Sequence, residues 1–303
     1  MELKKYPLKL SPVCKEIIWG GTKLKTEYGK VCDLDKVAET WELTARYDGM
    51  NTIVNGEYAG MTIAEYLGDK ADKFPLLIKL IDACDKLSIQ VHPDDEYAQT
   101  NEGEFGKTEM WYIVDAEPGA KLVYGLENYN KDTFAPAAKE GTLEQYLHYV
   151  DVHPGDVFFI PAGCVHAIGA GILIAEIQQS SNVTYRVYDY NRRGKDGQLR
   201  PLHVEKALDV IIDYTEDQIN AIRYSDGYFD GALANCKYFR VERYVGGITL
   251  NVTEDSFMHV LCLSGEGTIG GEPITKGDSF FLPAGLGAVE VTGTAEIITS
   301  VAK

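Results

Sequence analysis

The sequence predicts a mainly β protein: two jelly-roll β-barrels, each a double-stranded β-helix, with a few helices inserted and linking. Three observations carry this. The stretch Gly155-Asp156-Val157-Phe158-Phe159-Ile160-Pro161-Ala162-Gly163 returns as Gly277-Asp278-Ser279-Phe280-Phe281-Leu282-Pro283-Ala284-Gly285, identical at seven of nine positions. One structural unit is therefore used twice. Short β-rich runs broken by Gly, Pro, Asn and Asp fill both halves of the chain. Helical periodicity is confined to a few stretches.

In the first half the strands are expected at Leu87–His92, Glu109–Val114, Asp156–Ile160, Ile172–Gln178 and Thr184–Tyr188. In the second half they are expected at Tyr238–Val245, His259–Leu263, Ser279–Leu282 and Ala295–Ser300. Thr62–Leu67 opens with a capping Thr62 and Glu65 three residues later, a helix start. Lys131–Glu140 and Thr142–Tyr149 read as a helical pair. Pro201–Ile211 reads as the best helix, with Leu202, Ala207, Leu208, Val210 and Ile211 near helical period. The polar region 195–235 links two β units. The division expected is 1–235 for a metal-binding catalytic barrel with helical insertion and linker, and 236–303 for a second barrel without metal ligands. In each copy of the repeat, Gly-Asp makes a tight turn. The apolar run that follows is a strand with alternate side chains in the core, and Pro-Ala-Gly ends it at the rim. This is the pattern of a cupin, a small barrel that holds a metal inside.

Composition excludes several classes. The chain has 303 residues and a formal net charge of -17. Phosphate neutralisation drives nucleic-acid binding, so no nucleic-acid partner is expected. An anionic membrane surface is disfavoured for the same reason. A small anionic substrate still fits, because a pocket can be locally basic. No apolar run approaches the ~20 residues of a membrane span, and Met1–Pro7 has no apolar signal region, so a cytoplasmic address is the expectation. The six cysteines, Cys14, Cys32, Cys84, Cys164, Cys236 and Cys262, show no C-x-x-C spacing and read as reduced. Cys164, two residues before His166, reads as a small buried residue.

Three segments hold candidate ligands. Gln90 and His92 are two apart and share a strand face, as do Lys107 and Glu109. His166 stands three residues after the first repeat, where the second copy has Ala288. Singly, each has a plainer explanation: a satisfied core histidine, or a Glu–Lys ion pair. Together, two His, one Glu and one Gln at strand parity point to an open divalent-metal site, with zinc or a similar ion. His148, His153, His203 and His259 have no matching partners. Asp94, Asp95 and Glu96 read as a solvated acidic turn.

Ile18-Trp19-Gly20-Gly21, Ala38-Glu39-Thr40-Trp41-Glu42, Gln90-Val91-His92-Pro93, Gly106-Lys107-Thr108-Glu109 and Asn182-Val183-Thr184-Tyr185-Arg186 occur in this order. With them the whole chain resembles type I phosphomannose isomerase in its short bacterial form. The resemblance implies interconversion of mannose 6-phosphate and fructose 6-phosphate, a small sugar phosphate being the partner. It implies one Zn²⁺ per chain on Gln90, His92, Glu109 and His166, or on three of these plus water in place of Gln90. The family's essential arginine matches Arg186, which either meets developing charge or positions the substrate. Lys107 is a candidate for proton transfer or oxygen contact, and Glu176 a second candidate base. Lys79 and Ser88 are candidates to line the cavity, with Trp19 and Glu39 near its entrance. The chain departs from longer members in a reduced helical insertion and in Ile168, where they carry Tyr. Tyr185 and Tyr188-Asp189-Tyr190 resemble the short form. The runners-up are a metal-dependent cupin oxygenase and a non-catalytic sugar-binding cupin. The chain is expected to be a monomer or homodimer.

Overall fold

Two strands are buried along their whole length, Leu76–Ala83 and Ile172–Gln179. A strand with no wet face must lie between two layers, and this sets the architecture. The computed structural model describes residues 3–194 and 197–303. Both strands lie in a six-stranded antiparallel sheet ordered Val157–Ile160, Glu109–Ala116, Ile172–Gln179, Leu76–Ala83, Glu39–Leu43, Val13–Lys15. One face meets a five-stranded sheet ordered Leu147–Asp151, Lys121–Leu126, His166–Ala167, Ile89–Val91, Tyr185–Tyr188. Trp111, Ile113, Ile160, Ile174 and Leu122 fill part of the space between. These two sheets are the first barrel.

The other face of the six-stranded sheet carries Ile78, Leu80, Met110, Phe159, Ala175 and Ile177. It packs on Phe239, Val241, Leu261, Phe281 and Ile298 of a seven-stranded sheet. Behind that sheet, Val260, Phe280, Leu282 and Ile297 pack on Leu250, Ile269, Val289 and Val291 of a four-stranded sheet, closing the second barrel. The barrels thus stand back to back on a shared apolar core.

The repeat is reproduced bond for bond. Gly155 and Gly277 have φ of 95° and 89°, which favours glycine. Asp156 Oδ2 accepts from the His153 amide and Asp278 Oδ2 from the Thr275 amide, both at 2.8 Å. Phe159 and Phe281 point into the shared core, while Phe280 points into its own barrel.

Sheet membership crosses the division expected at residue 235. Ala232–Asn235 pairs with Phe239–Val245. Leu8–Ser11 pairs with Ser279–Leu282, Leu8 facing Phe281. Both belong to the seven-stranded sheet.

Helices fall mostly where expected. Thr62 and Glu65 form a capping box before Ile63–Leu67. Lys131–Glu140 is helical and packs Phe134, Ala137 and Ala138 against Ala207 and Leu208 of Val204–Val210. That second helix starts at Val204 rather than at Pro201. The expected helix Thr142–Tyr149 is instead a single 3₁₀ turn, Leu143–Tyr146, followed by the strand Leu147–Asp151. The open edge of Lys121–Leu126 recruits those residues into its ladder, and pairing overrides local propensity. The acidic turn is also different: Asp94 caps a helix, Asp95–Glu102, by accepting from the Tyr97 amide at 2.9 Å. Acidic residues in a first turn favour this. Among the described residues no helix is long and apolar enough to cross a membrane.

Candidate active site

Ladder register builds the site as two facing rows. On the five-stranded sheet, Gln90 lies between His166 and Arg186. On the six-stranded sheet, Glu176 pairs with Trp111 on one side and Lys79 on the other, and Lys79 pairs with Trp41. Residues opposite one another in a ladder share a face, so each row presents its side chains together.

At one end of the rows His92, Glu109 and His166 converge, fully buried, with ligand atoms all within 4.8 Å. His166 Nε2 is 3.3 Å from Glu109 Oε1, and His92 Nε2 is 3.7 Å from Glu109 Oε2. Each imidazole is oriented from behind. His92 Nδ1 lies 2.8 Å from the Val183 carbonyl oxygen, and His166 Nδ1 lies 2.9 Å from that of Cys164. A carbonyl only accepts, which assigns the proton to Nδ1 and leaves both Nε2 atoms bare. Glu109 Oε1 has no hydrogen-bond partner among the described residues, and Oε2 has only the Lys107 ammonium beside it. Tetrahedral ligands at zinc distances stand roughly 3.4 Å apart, so this donor set fits a zinc-like divalent ion.

The electrostatics match. Burial lowers the His166 imidazole to about 4, with Lys107 adding to the effect. Burial also lowers His92 well below its ordinary value, with Lys107 and His166 adding. Both are held neutral, as ligands must be. Burial pushes the Glu109 carboxyl up to about 7, helped by Glu176 and opposed by Lys107. Burial also raises Glu176, but Lys79, Lys107 and the Trp111 indole outweigh it and bring it to about 2. Two buried carboxyls are thus driven apart, and Glu176 is the one kept ionised.

Lys107 Nζ lies 2.9 Å from Glu109 Oε2 and 3.1 Å from His92 Nε2. Lys79 Nζ lies 3.0 Å from Glu176 Oε1 and 3.7 Å from Glu39 Oε2. Gln90 presents its amide nitrogen to His166 Nε2 at 3.3 Å, and its Oε1 accepts from Ser88. Arg186 Nη1 donates to the Pro201 carbonyl at 2.8 Å, and its Nε is buried without a partner among the described residues. A cleft of about 470 Å³ is lined by all eight of the other expected residues: Trp19, Glu39, Lys79, Ser88, Gln90, Lys107, Glu176 and Arg186. The buried trio is reached through Gln90 and Lys107. The remaining histidines stand apart: His259 is fully buried 2.8 Å from Ser279 Oγ, and His203 Nδ1 accepts from the Arg186 amide. Cys164 is buried, its thiol pushed up to about 12.

Sequence reasoning missed Lys15, Trp41, Trp111 and Arg200, which also line the cleft. Trp41 and Trp111 carried a usable signal, each lying two residues from a singled-out glutamate, Glu39 and Glu109, and so on its face. Lys15 and Arg200 carried none.

Comparison with known proteins agrees with this geometry. Residues 8–123 match the family described as phosphomannose isomerase type I, catalytic domain, and residues 231–302 match the mannose-6-phosphate isomerase cupin domain. Mannose-6-phosphate isomerase ManA of Bacillus subtilis (strain 168) is 39% identical over 310 residues, covering 97% of this chain and 98% of its own. Mannose-6-phosphate isomerase of Streptococcus mutans serotype c is 36% identical over 309 residues, covering 97% and 98%. The crystal structure of mannose 6-phosphate isomerase from Bacillus subtilis aligns with a TM-score of 0.87 at 35% identity, covering 98% of this chain and 99% of that one. With such relatives along nearly its whole length, the chain belongs to the type I phosphomannose isomerase family.

Proposed function

We propose that this chain interconverts mannose 6-phosphate and fructose 6-phosphate by proton transfer between C1 and C2 through an enediol, with zinc as the resident ion. The observation that carries the reading is the convergence of two bare imidazole nitrogens and a fully buried carboxylate beside a cleft with an ionised base. His92, Glu109 and His166 hold the ion, and Gln90 joins them if its amide turns its oxygen inward. Lewis acidity toward the sugar oxygens at C1 and C2 is the chemistry that ion supplies.

The chain's own residues do the rest. Glu176, kept ionised by Lys79, takes the proton from C2 of the aldose and returns it to C1. Lys107 gives a proton to O1 and recovers one from O2, so the hydroxyl and carbonyl exchange places. Arg186 supplies a fixed positive charge to the substrate. Trp19, Trp41 and Trp111 wall the cleft against water.

A coupled assay tests this. Zinc-loaded protein should form fructose 6-phosphate from mannose 6-phosphate, and a chelator should abolish it. Glu176→Gln should lower kcat about 10²- to 10⁴-fold with zinc still near one per chain. No fructose 6-phosphate from the zinc-loaded protein would sink the reading.

A further inference from the structure

We propose that Arg200 is the residue with which this chain reads the phosphoryl group of its substrate, paired with Arg186 at the end of the cleft away from His92, Glu109 and His166, with Asp189 as the residue that positions it. This rests on the isomerase reading above.

Charge accounting in the cleft leads there. Lys79 is matched by Glu176 and Glu39, and Lys107 by Glu109. Lys15 directs its ammonium to the Asp48 carbonyl and lies 4.2 Å from the centre of the Trp41 ring. These cations already have partners within the wall. Arg186, like Lys15, spends one bond on a neutral carbonyl, through its Nη1, but its Nε is also buried without a partner among the described residues. Arg200 and Arg192 share the carboxylate of Asp189, at 3.3 Å and 2.5 Å. The other carboxylate near Arg192, Asp85, is 3.7 Å away and more than half exposed. Two guanidiniums on one buried carboxylate, with Arg186 near enough to feel all three groups, leave positive charge over in this cluster, in a chain whose formal net charge is -17. The crowding is felt: burial lowers Arg186 below its ordinary value, and Arg200 and Arg192 add to this. A dianion supplies the missing countercharge, and guanidinium forks match phosphate oxygens.

The sheet sets the distance. His166, Gln90 and Arg186 lie on adjacent strands, spaced ~4.8 Å apart, so roughly 10 Å separates the backbones of His166 and Arg186. An open-chain hexose phosphate with its carbonyl end at the buried trio reaches along this row with its phosphoryl end at the arginines. The segment carrying Arg200 is stitched to the same strand. Pro201 accepts from Arg186 Nη1 at 2.8 Å, and the His203 amide donates to the Arg186 carbonyl at 2.7 Å. Asp189 engages Arg200 through Nη1 alone, both carboxylate oxygens lying 3.3 Å from it. This anchors the fork by one nitrogen while the side chain lines the cleft.

The test compares Arg200→Gln and Arg200→Lys with the parent enzyme. For Arg200→Gln, KM for mannose 6-phosphate should rise about 10- to 100-fold, the worth of charge-assisted hydrogen bonds, with kcat within a few-fold. Calorimetric affinity for inorganic phosphate should fall by a similar factor, zinc should stay near one per chain, and kcat/KM for unphosphorylated mannose should not change. Arg200→Lys, a charge without the fork, should fall between. Unchanged phosphate affinity overturns the proposal, as does an equal loss on mannose and mannose 6-phosphate. Phosphate affinity is read without turnover, so a parent enzyme that binds phosphate through Arg200 yet does not isomerise condemns only the isomerase reading.

Discussion

Matched by their ladders, the two barrels set four residues against four. The amide of Gly163 donates to the His92 carbonyl, and the amide of Gly285 donates to that of Thr253. Glu109 pairs with Ile160 where Met258 pairs with Leu282. His166 pairs with Gln90 where Ala288 pairs with Asn251. Gln90, His92, Glu109 and His166 in the first barrel therefore correspond to Asn251, Thr253, Met258 and Ala288 in the second. The turn, the strand and the Phe-Phe pair are kept because packing needs them in both places. The four candidate ligand positions differ between the copies. Where the first barrel carries Trp111 beside its cleft, the second carries Val260 in a dry core.

Restoring one ligand to the second barrel is the strongest way to attack this contrast. His166→Ala should release the zinc and cut turnover by more than about 10³-fold, as expected when a metal's charge stabilisation is lost. Ala288→His should take up no second zinc, because Thr253 and Met258 do not complete a set. Metal content by mass spectrometry reads both, and two zinc ions per chain in A288H would break the comparison. The repeated phenylalanines come next. Phe280 is fully buried and its counterpart Phe158 only partly. Phe280→Ala should cost about 3–5 kcal/mol, and Phe158→Ala clearly less, as read from urea midpoints. Equal costs would mean the two copies pack alike.

The smallest effect concerns acid. His259 faces Phe281 in its ladder, where the first barrel has Met110 facing Phe159. Burial, with Lys30 adding, lowers its imidazole to about 3, against an ordinary ~6.5 in an unfolded chain. Between those values only the unfolded state takes up the proton. Stability from this residue is therefore full above about pH 6.5 and is lost on acidification toward pH 3, by up to ~1.4 kcal/mol per pH unit. His259→Met should flatten the decline in urea midpoint from pH 7 to pH 4. A variant as acid-labile as its parent would show that His259 is not held neutral.

Much of this was legible in the sequence, for reasons that can be named. The repeat advertised two barrels because its Gly-Asp turn and Phe-Phe strand are local. Parity advertised Gln90 with His92 and Lys107 with Glu109, because strand faces alternate every residue. Trp41 and Trp111 obeyed the same parity and were passed over. Arg200 was invisible, since a loop residue is held at the cleft by Asp189, a contact that no local pattern announces. Thr142–Tyr149 misled because a short mixed run has no clear period, and a waiting strand edge decided its state. The bare Nε2 of His166 depends on the Cys164 carbonyl, a backbone contact no side-chain motif encodes.

Leu8–Ser11 is tied to a partner far along the chain. Its ion pair from Lys9 to Asp278 joins residues 269 positions apart. On a ribosome this strand emerges long before its partner Ser279–Leu282. Through most of synthesis it is an unsatisfied edge, and the apolar back of the six-stranded sheet has nothing to cover it. Loop closure over that span costs only slowly more with length, so the delay is one of order rather than of energy. The nascent chain carries that unpaired edge until Ser279–Leu282 has been made.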